Sequence, residues 1–352
     1  MQSFRDLSRH FGALPPGLVN LLTTISEARG RQDAFRRQRP GGLETLRSMA
    51  LIQSTEASNA IENIRAPHAR IEALVREKTA PRNRSEQEIA GYRFVLDQVH
   101  ANAPNIPFEP RYVEQLHGYL YRFTGDRAAG RWKRIDNKVE ELRPGGMVVE
   151  RFRPVSADDT PAAMAELHDG FGRSSAANTY HHLLLASAYL LDFSVIHPFP
   201  DGNGRMSRLI TLWLLYLGEY EVGRYISLEK LIDESRETYY EALGRSTAGW
   251  HEGRHDLRPW TEYFLGVVTA ACQQFENRTQ LISGRGSKRM LIHAFIRSSV
   301  SGDFAIADIR EAAPGVSDAY IGQVLSDLKQ KGVVEARGSG RGARWKRLLQ
   351  DF

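Results

Sequence analysis

Two stretches of the chain are apolar on nearly every face: YHHLLLASAYLLDFSVI, residues 180–196, and RLITLWLLYLGEY, residues 208–220. A helix of that kind has no side to offer water, so other helices or lipid must surround it. Neither run gives the ~18 apolar residues of a membrane span, the first being broken by His181, His182, Ser187, Asp192 and Ser194, so the cover has to come from the rest of the chain. With 352 residues, 41% apolar and 25% charged, the chain has the material for it, and two or three domains are the expectation at this length.

The remaining sequence reads mostly as helix. Leu18, Leu21, Leu22 and Ile25 keep helical spacing after Pro15-Pro16, which is a helix start. The same periodicity recurs in LETLRSMALIQ, HARIEALVREK, EQEIAGYRFVLDQVH, RYVEQLHGYLYRF, RETYYEALGRS and LRPWTEYFLGVVTAACQQF. ANAPNIPFEPR, with three prolines, reads as a connector, and Pro161 suits the first turn of a further helix. Residues 136–153, DNKVEELRPGGMVVERFR, set β-favouring residues on both sides of Arg-Pro-Gly-Gly and read as a hairpin. SGRGS at 283–287 reads as a linker. Beyond it the order is helix, helix, helix, two-stranded wing, the layout of a winged helix-turn-helix. The expected fold class is therefore mainly α with one β-hairpin, plus a small C-terminal α+β module.

Charge is unevenly spread. Residues 285–352 hold 12 Lys and Arg against 7 Asp and Glu, which accounts for the whole net charge of +5. That bears on partners and not on fold. Tyr320, Gln323 and Lys329 fall on the expected recognition helix, and Arg337, Arg341, Arg344, Lys346 and Arg347 around the wing. DNA contact and protein docking both stay open for this segment. The single cysteine, Cys272, excludes an internal disulfide. MQSFRDLSRHFGALPPG lacks the apolar centre of a signal peptide, so a cytoplasmic location away from membranes is expected.

Between the two apolar runs lies IHPFPDGNGRMSR, residues 196–208. Gly202 and Gly204 can reach dihedrals that gather N–H groups into a concave nest. A helix begins there, and its first N–H groups and dipole favour an anion. Arg205 and Arg208, three apart on one face, offer guanidinium forks, and together with the nest they suggest a polyphosphate. Asp201 is a hard oxygen ligand of the sort magnesium takes beside phosphates. His197, with an ordinary pKa of ~6.5, can accept a proton at neutral pH. These residues fit a hydroxyl attacking a magnesium-bound nucleotide phosphate. Each has a plainer reading alone: an N-cap, a structural histidine, an ordinary turn, a solvated face. Their coincidence within twelve residues favours the chemistry. Walker-type and kinase signatures are absent, and His197 has no nearby His or Cys partner for zinc.

HPFPDGNGRMSR resembles the signature of Fic-domain proteins, His-x-Phe-x-[Asp/Glu]-Gly-Asn-Gly-Arg-x-x-Arg, at every defined position. The resemblance implies a helical Fic domain at 106–282, after an N-terminal helical region at 1–105 and before the linker at 283–287 and the winged helix at 288–352. It implies transfer of AMP from ATP, with Mg2+, to a Ser, Thr or Tyr hydroxyl of a target protein or of the chain itself. On this reading His197 deprotonates the hydroxyl and Asp201 holds the metal. Gly202, Asn203 and Gly204 hold phosphates, and Arg205 and Arg208 bind the β/γ end. The hairpin at 136–153 falls where the family has a flap that aligns a target segment by strand addition. RETYYEALGR resembles the family's helix that closes the adenine pocket, with Tyr239 and Tyr240 at its tyrosine pair. Ser235 stands before Arg236 where the family often has Asn. Relatives that move a whole phosphate carry Ala and Lys where this chain has Gly202 and Gly204-Arg205.

Ser58 to Asn63, SNAIEN, resembles the Ser-x-x-x-Glu-Asn inhibitory motif of the family. Ser58 and Glu62, four apart, are expected on one helical face. The resemblance pairs Glu62 with Arg208, where its carboxylate displaces the γ-phosphate. Two alternatives remain: removal of AMP at the same site, and a non-enzymatic, ATP-sensing DNA-binding regulator. The target and the oligomeric state, homo-oligomer included, stay open.

Overall fold

The computed structural model describes every residue except 39, 144–146, 284–286, 299–302, 314–315, 339–342 and 349–352. The chain begins with two short helices, α1 (Gln2–Arg5) and α2 (Leu7–Phe11), and two long ones, α3 (Pro16–Gln38) and α4 (Pro40–Ile61). α5 (His68–Val75), α6 (Arg84–Asn102) and α7 (Pro110–Leu120) follow. The connector expected at 101–111 is shorter than its prolines suggest. α6 runs into it, and a 3-10 turn at Ala103–Asn105 is pinned where the Trp213 indole donates to the Ala103 carbonyl at 3.2 Å.

The hairpin forms. β1 (Val139–Arg143) pairs antiparallel with β2 (Met147–Phe152), from Val139 opposite Phe152 to Arg143 opposite Met147. Helices then resume as α8 (Thr160–Ala177), α9 (His182–Ile196), α10 (Asn203–Leu217), α11 (Leu228–Glu234), α12 (Arg236–Thr247) and α13 (Arg258–Ser283).

α9 and α10 are the two apolar runs, and they sit at the centre. In α9 only His182 and Ser194 escape full burial, and in α10 only Gly204 and Leu217. Cover arrives from every part of the helical body, so one apolar core runs from Met1 to Phe275. The described part of residues 1–105 joins that core, with Ile25, Tyr92 and Leu96 fully buried in the same cluster. A small satellite of Ile52, Ile71, Leu74, Val75 and Ile89 joins α4, α5 and α6.

α4 stops at Ile61 because Asn63 takes a left-handed φ of 60°. Glu62, expected on a helical face with Ser58, therefore stands on the closing turn, its N–H donating to the Asn59 carbonyl at 3.1 Å.

Beyond the body lie α14 (Ser287–Ser298), β3 (Phe304–Ala305), α15 (Ile306–Ala312), α16 (Asp318–Gln330), β4 (Val334–Arg337) and β5 (Arg344–Arg347). The strands form an antiparallel sheet in the order β3-β5-β4. This part has a core of its own, including Ile292, Ile296, Ile309, Ile321, Leu325 and Val334. The expected hairpin turn at 144–146, the linker at 284–286 and Arg341 lie outside the described residues. Among the described residues no helix is long and apolar enough to cross a membrane.

Candidate functional site

α9 ends on His197, which takes φ 49° and ψ 59° while its N–H still reaches the Phe193 carbonyl at 3.0 Å. A left-handed non-glycine residue is strained by ~1–3 kcal/mol and persists only where its surroundings hold it. Here Lys133 and Asn137 hold it. The Lys133 ammonium donates to the Ile196 carbonyl at 3.0 Å and to Asn137 Oδ1 at 2.9 Å, and its main-chain N–H donates to the Pro198 carbonyl at 2.8 Å. Asn137 Nδ2 donates to the carbonyls of His197 at 3.3 Å and Phe199 at 3.0 Å. A cation at the C-terminal end of α9 also suits the helix dipole. Burial pulls the His197 imidazole down to about 4, and the Lys133 charge adds to the effect. The same burial lowers Lys133 to about 8. His197 is thus a neutral ring at pH 7.

The turn that follows is closed by its own residues. Asn203 Oδ1 accepts the Phe199 N–H at 2.9 Å, and Asn203 Nδ2 donates to the Phe199 carbonyl at 2.7 Å. The His117 ring stacks on Phe199, with centroids 3.8 Å apart and planes 2° apart. His117 Nδ1 accepts the Gly130 N–H at 2.9 Å. The proton is therefore on Nε2, which donates to the Asp201 carbonyl at 3.1 Å. Gly202 combines φ 77° with a Tyr121 hydroxyl that would lie 2.8 Å from any Cβ, so two reasons demand glycine. α10 starts at the next residue, and its first N–H groups have no partner within the helix.

The two arginines differ. Arg208 is 3% exposed and meets the other motif, donating from Nε to Ser58 Oγ and from Nη2 to the Ser58 carbonyl and Glu62 Oε1, each at 2.8 Å. The Glu62 carboxylate lies over Gly204 so closely that a Cβ there would collide with Oε1. Arg205 is 1% exposed and faces inward. Its Nη1 donates to Glu88 Oε2 and its Nη2 to the Tyr121 hydroxyl, both at 2.7 Å. Tyr121 in turn donates to Asp201 Oδ2 at 2.9 Å. In this structure the Asn203 side chain is bonded to the Phe199 main chain, and the Arg205 guanidinium to Glu88 and Tyr121.

Asp201 keeps a side chain 75% exposed, with Oδ1 accepting the Gly202 N–H at 2.6 Å. No cluster of three or more His, Cys, Asp or Glu that could hold a metal occurs among the described residues. One open carboxylate fits magnesium that takes its other ligands from phosphate and water.

α4 is seated by a buried carboxylate on α11. Glu229 accepts from the hydroxyls of Ser54 at 2.6 Å and Tyr92 at 3.0 Å. Arg236 Nη2 reaches the Ile61 carbonyl at the helix end. Tyr239 is a core side chain, 6% exposed, its ring 5.1 Å from Tyr240 and 5.7 Å from both Trp260 and Tyr263. Tyr240 is half-buried at the rim, with the Arg236 guanidinium 5.8 Å from its ring centre.

The structure thus gathers Ser58, Glu62, His197, Asp201, Gly202, Gly204 and Arg208 around the start of α10. In the C-terminal part Gln323, Lys329, Arg344 and Lys346 are exposed, while Arg337 stands 3.4 Å from both Asp303 and Glu335. Sequence reading missed Glu88, His117, Tyr121, Lys133 and Asn137. Lys133 and Asn137 share the run WKRIDN just before the hairpin, which says nothing about its contact with the turn, and Glu88, His117 and Tyr121 carry no local signal.

Residues 107–215 match the sequence profile of the Fic/DOC family. No curated protein matches the chain. Among solved structures, a Fic family protein from Desulfovibrio desulfuricans is similar over 96% of this chain and 97% of its own, with TM-score 0.62 and 23% identity. A Fic domain containing signaling protein from Bacteroides thetaiotaomicron is similar over 71% of this chain and 95% of its own, with TM-score 0.58 and 18% identity. Fic-1 from C. elegans is similar over 76% of this chain and 74% of its own, with TM-score 0.60 and 18% identity. At these identities the likeness speaks for the fold. The span from the approach to α7, through the hairpin and α9, into α10 is a Fic/DOC family domain carried by this chain.

Proposed function

We propose that the chain is a protein adenylyltransferase held in check by its own Glu62. The observation that carries the proposal is a carboxylate resting on Arg208 above Gly204, an anion in a seat shaped for anions. In the proposed reaction the tail phosphates of ATP take that seat, on Arg208 and the free N–H groups at the start of α10. Asp201 would hold magnesium, which when bound neutralises phosphate charge. A target hydroxyl attacks the α-phosphorus and gives its proton to His197. The bond from the α-phosphorus to the bridging oxygen breaks, and pyrophosphate leaves. The neutral state of His197 supports its role as acceptor.

In this reading Lys133 and Asn137 orient His197, and the Glu88–Arg205–Tyr121 chain orients the Asp201 carboxylate. Glu62 blocks the γ-phosphate position by charge and by volume. A brake of 10- to 100-fold needs only ~1.4–2.7 kcal/mol. The hairpin edge is where a target strand would add, and residues 288–352, read as a winged helix, would dock DNA or protein.

The test uses ATP labelled on its α-phosphate. Glu62→Gly is expected to raise self-labelling 10- to 100-fold over the intact chain, on the order set by that energy, and His197→Ala in the same background is expected to abolish it. ATP binding without any covalent adduct would favour the sensing alternative and sink the enzyme.

A further inference from the structure

A cavity of about 270 Å³ lies away from the motif, where α4, α11 and α13 meet. Gln53 of α4, Lys230 and Glu234 of α11, and Gln274, Asn277 and Arg278 of α13 line it. Two cations therefore face one carboxylate. Glu234 stands 3.8 Å from Lys230, with both side chains about half exposed at 57% and 48%, and water screens such a pair.

Arg278 is in a different position. It is half-buried, and no hydrogen bond or ion pair engages its guanidinium among the described residues. Nη1 is shut off from water without a partner. Burial pulls its pKa down, and no acidic neighbour opposes the shift. A guanidinium taken partly from water with no acid beside it is expensive, and an anion in the cleft that meets its remaining nitrogens offsets that cost. The three amide side chains around it supply neutral donors, and the planar fork matches two oxygens of one anion.

We infer that this cleft binds a compact oxyanion of the phosphate kind, held by Arg278 and Lys230. The anion would bridge three helices. One of them, α4, carries Ser58 and leads directly into Glu62, so occupancy favours the seated position of that helix. This last consequence rests on the proposed function, whereas the binding itself does not.

Calorimetric titration of the full chain with inorganic phosphate at low ionic strength tests the inference, with sodium chloride as control. Saturable binding is expected, weakened about tenfold or more by Arg278→Ala and by Lys230→Ala, and retained in Arg208→Ala. Absence of saturable binding overturns the inference. So does binding that ignores Arg278 and Lys230 and disappears in Arg208→Ala, which would place the phosphate in the motif seat alone. Should Arg278→Ala fail to fold, the half-exposed Lys230 still decides, because undiminished binding in Lys230→Ala rules the site out.

Discussion

Lys133 serves two ends of one turn. It fastens the left-handed residue at the close of α9, and its charge helps keep the His197 imidazole neutral. Lys133→Met, in the Glu62→Gly background, is expected to slow labelling by about tenfold or more, the scale of losing donors to buried carbonyls. It should also move the acid limb of the pH–rate profile to higher pH, because a cation that depresses His197 is gone. A residue that only braced the fold would lower the rate and leave the limb in place. None of this is legible in the sequence. The motif announces itself because its parts lie within twelve residues, where local geometry can be read directly. Lys133, Tyr121 and Glu88 stand 60 to 120 residues away, and a lone lysine or glutamate carries no mark of where it will be buried. The contact between Arg205 and Glu88 is hidden for the same reason, since the two stand 117 residues apart.

At the scale of elements, α4 ends on an opposition of charges. Glu62 is an anion on the negative end of a helix, a placement unfavourable by ~0.3–1 kcal/mol. Its hydrogen bond to a buried guanidinium is worth ~1.5–3 kcal/mol, so the contact wins by a narrow margin and depends on how firmly α4 is seated. Ser54→Ala removes the 2.6 Å donor to Glu229 at that seat. It is expected to raise basal labelling several-fold and lower the melting temperature by a few degrees. Unchanged labelling would mean the seat does not matter to Glu62. The helices and the hairpin were readable because periodicity is local and tolerates errors at the ends. The stop at Ile61 was not. It hangs on one asparagine entering the left-handed region, which spacing between Ser58 and Glu62 does not register.

Over the whole molecule, burial leaves a set of histidines that must stay neutral. His117, His168, His197 and His255 are depressed to about 4 and His100 to about 3, all chiefly by burial. Unfolded histidine titrates near ~6.5, so the unfolded chain takes up protons first as the pH falls. The stability these five contribute is full above that value and is lost as pH drops from 6.5 towards 4. Asp192, raised to about 6 by burial, works in the opposite sense but is one group against five. Melting temperature is expected to decline steadily between pH 7.5 and pH 5, and a flat profile would show that these rings are not buried neutral. The carboxylate above Gly204 has a consequence at this scale too, because it belongs to the same polypeptide as the seat it fills. Its local concentration is set by the architecture, and dilution does not loosen it. On the proposed function, such a protein stays quiet whether scarce or abundant. Whatever wakes it must act on the posture of one helix and not on the number of copies.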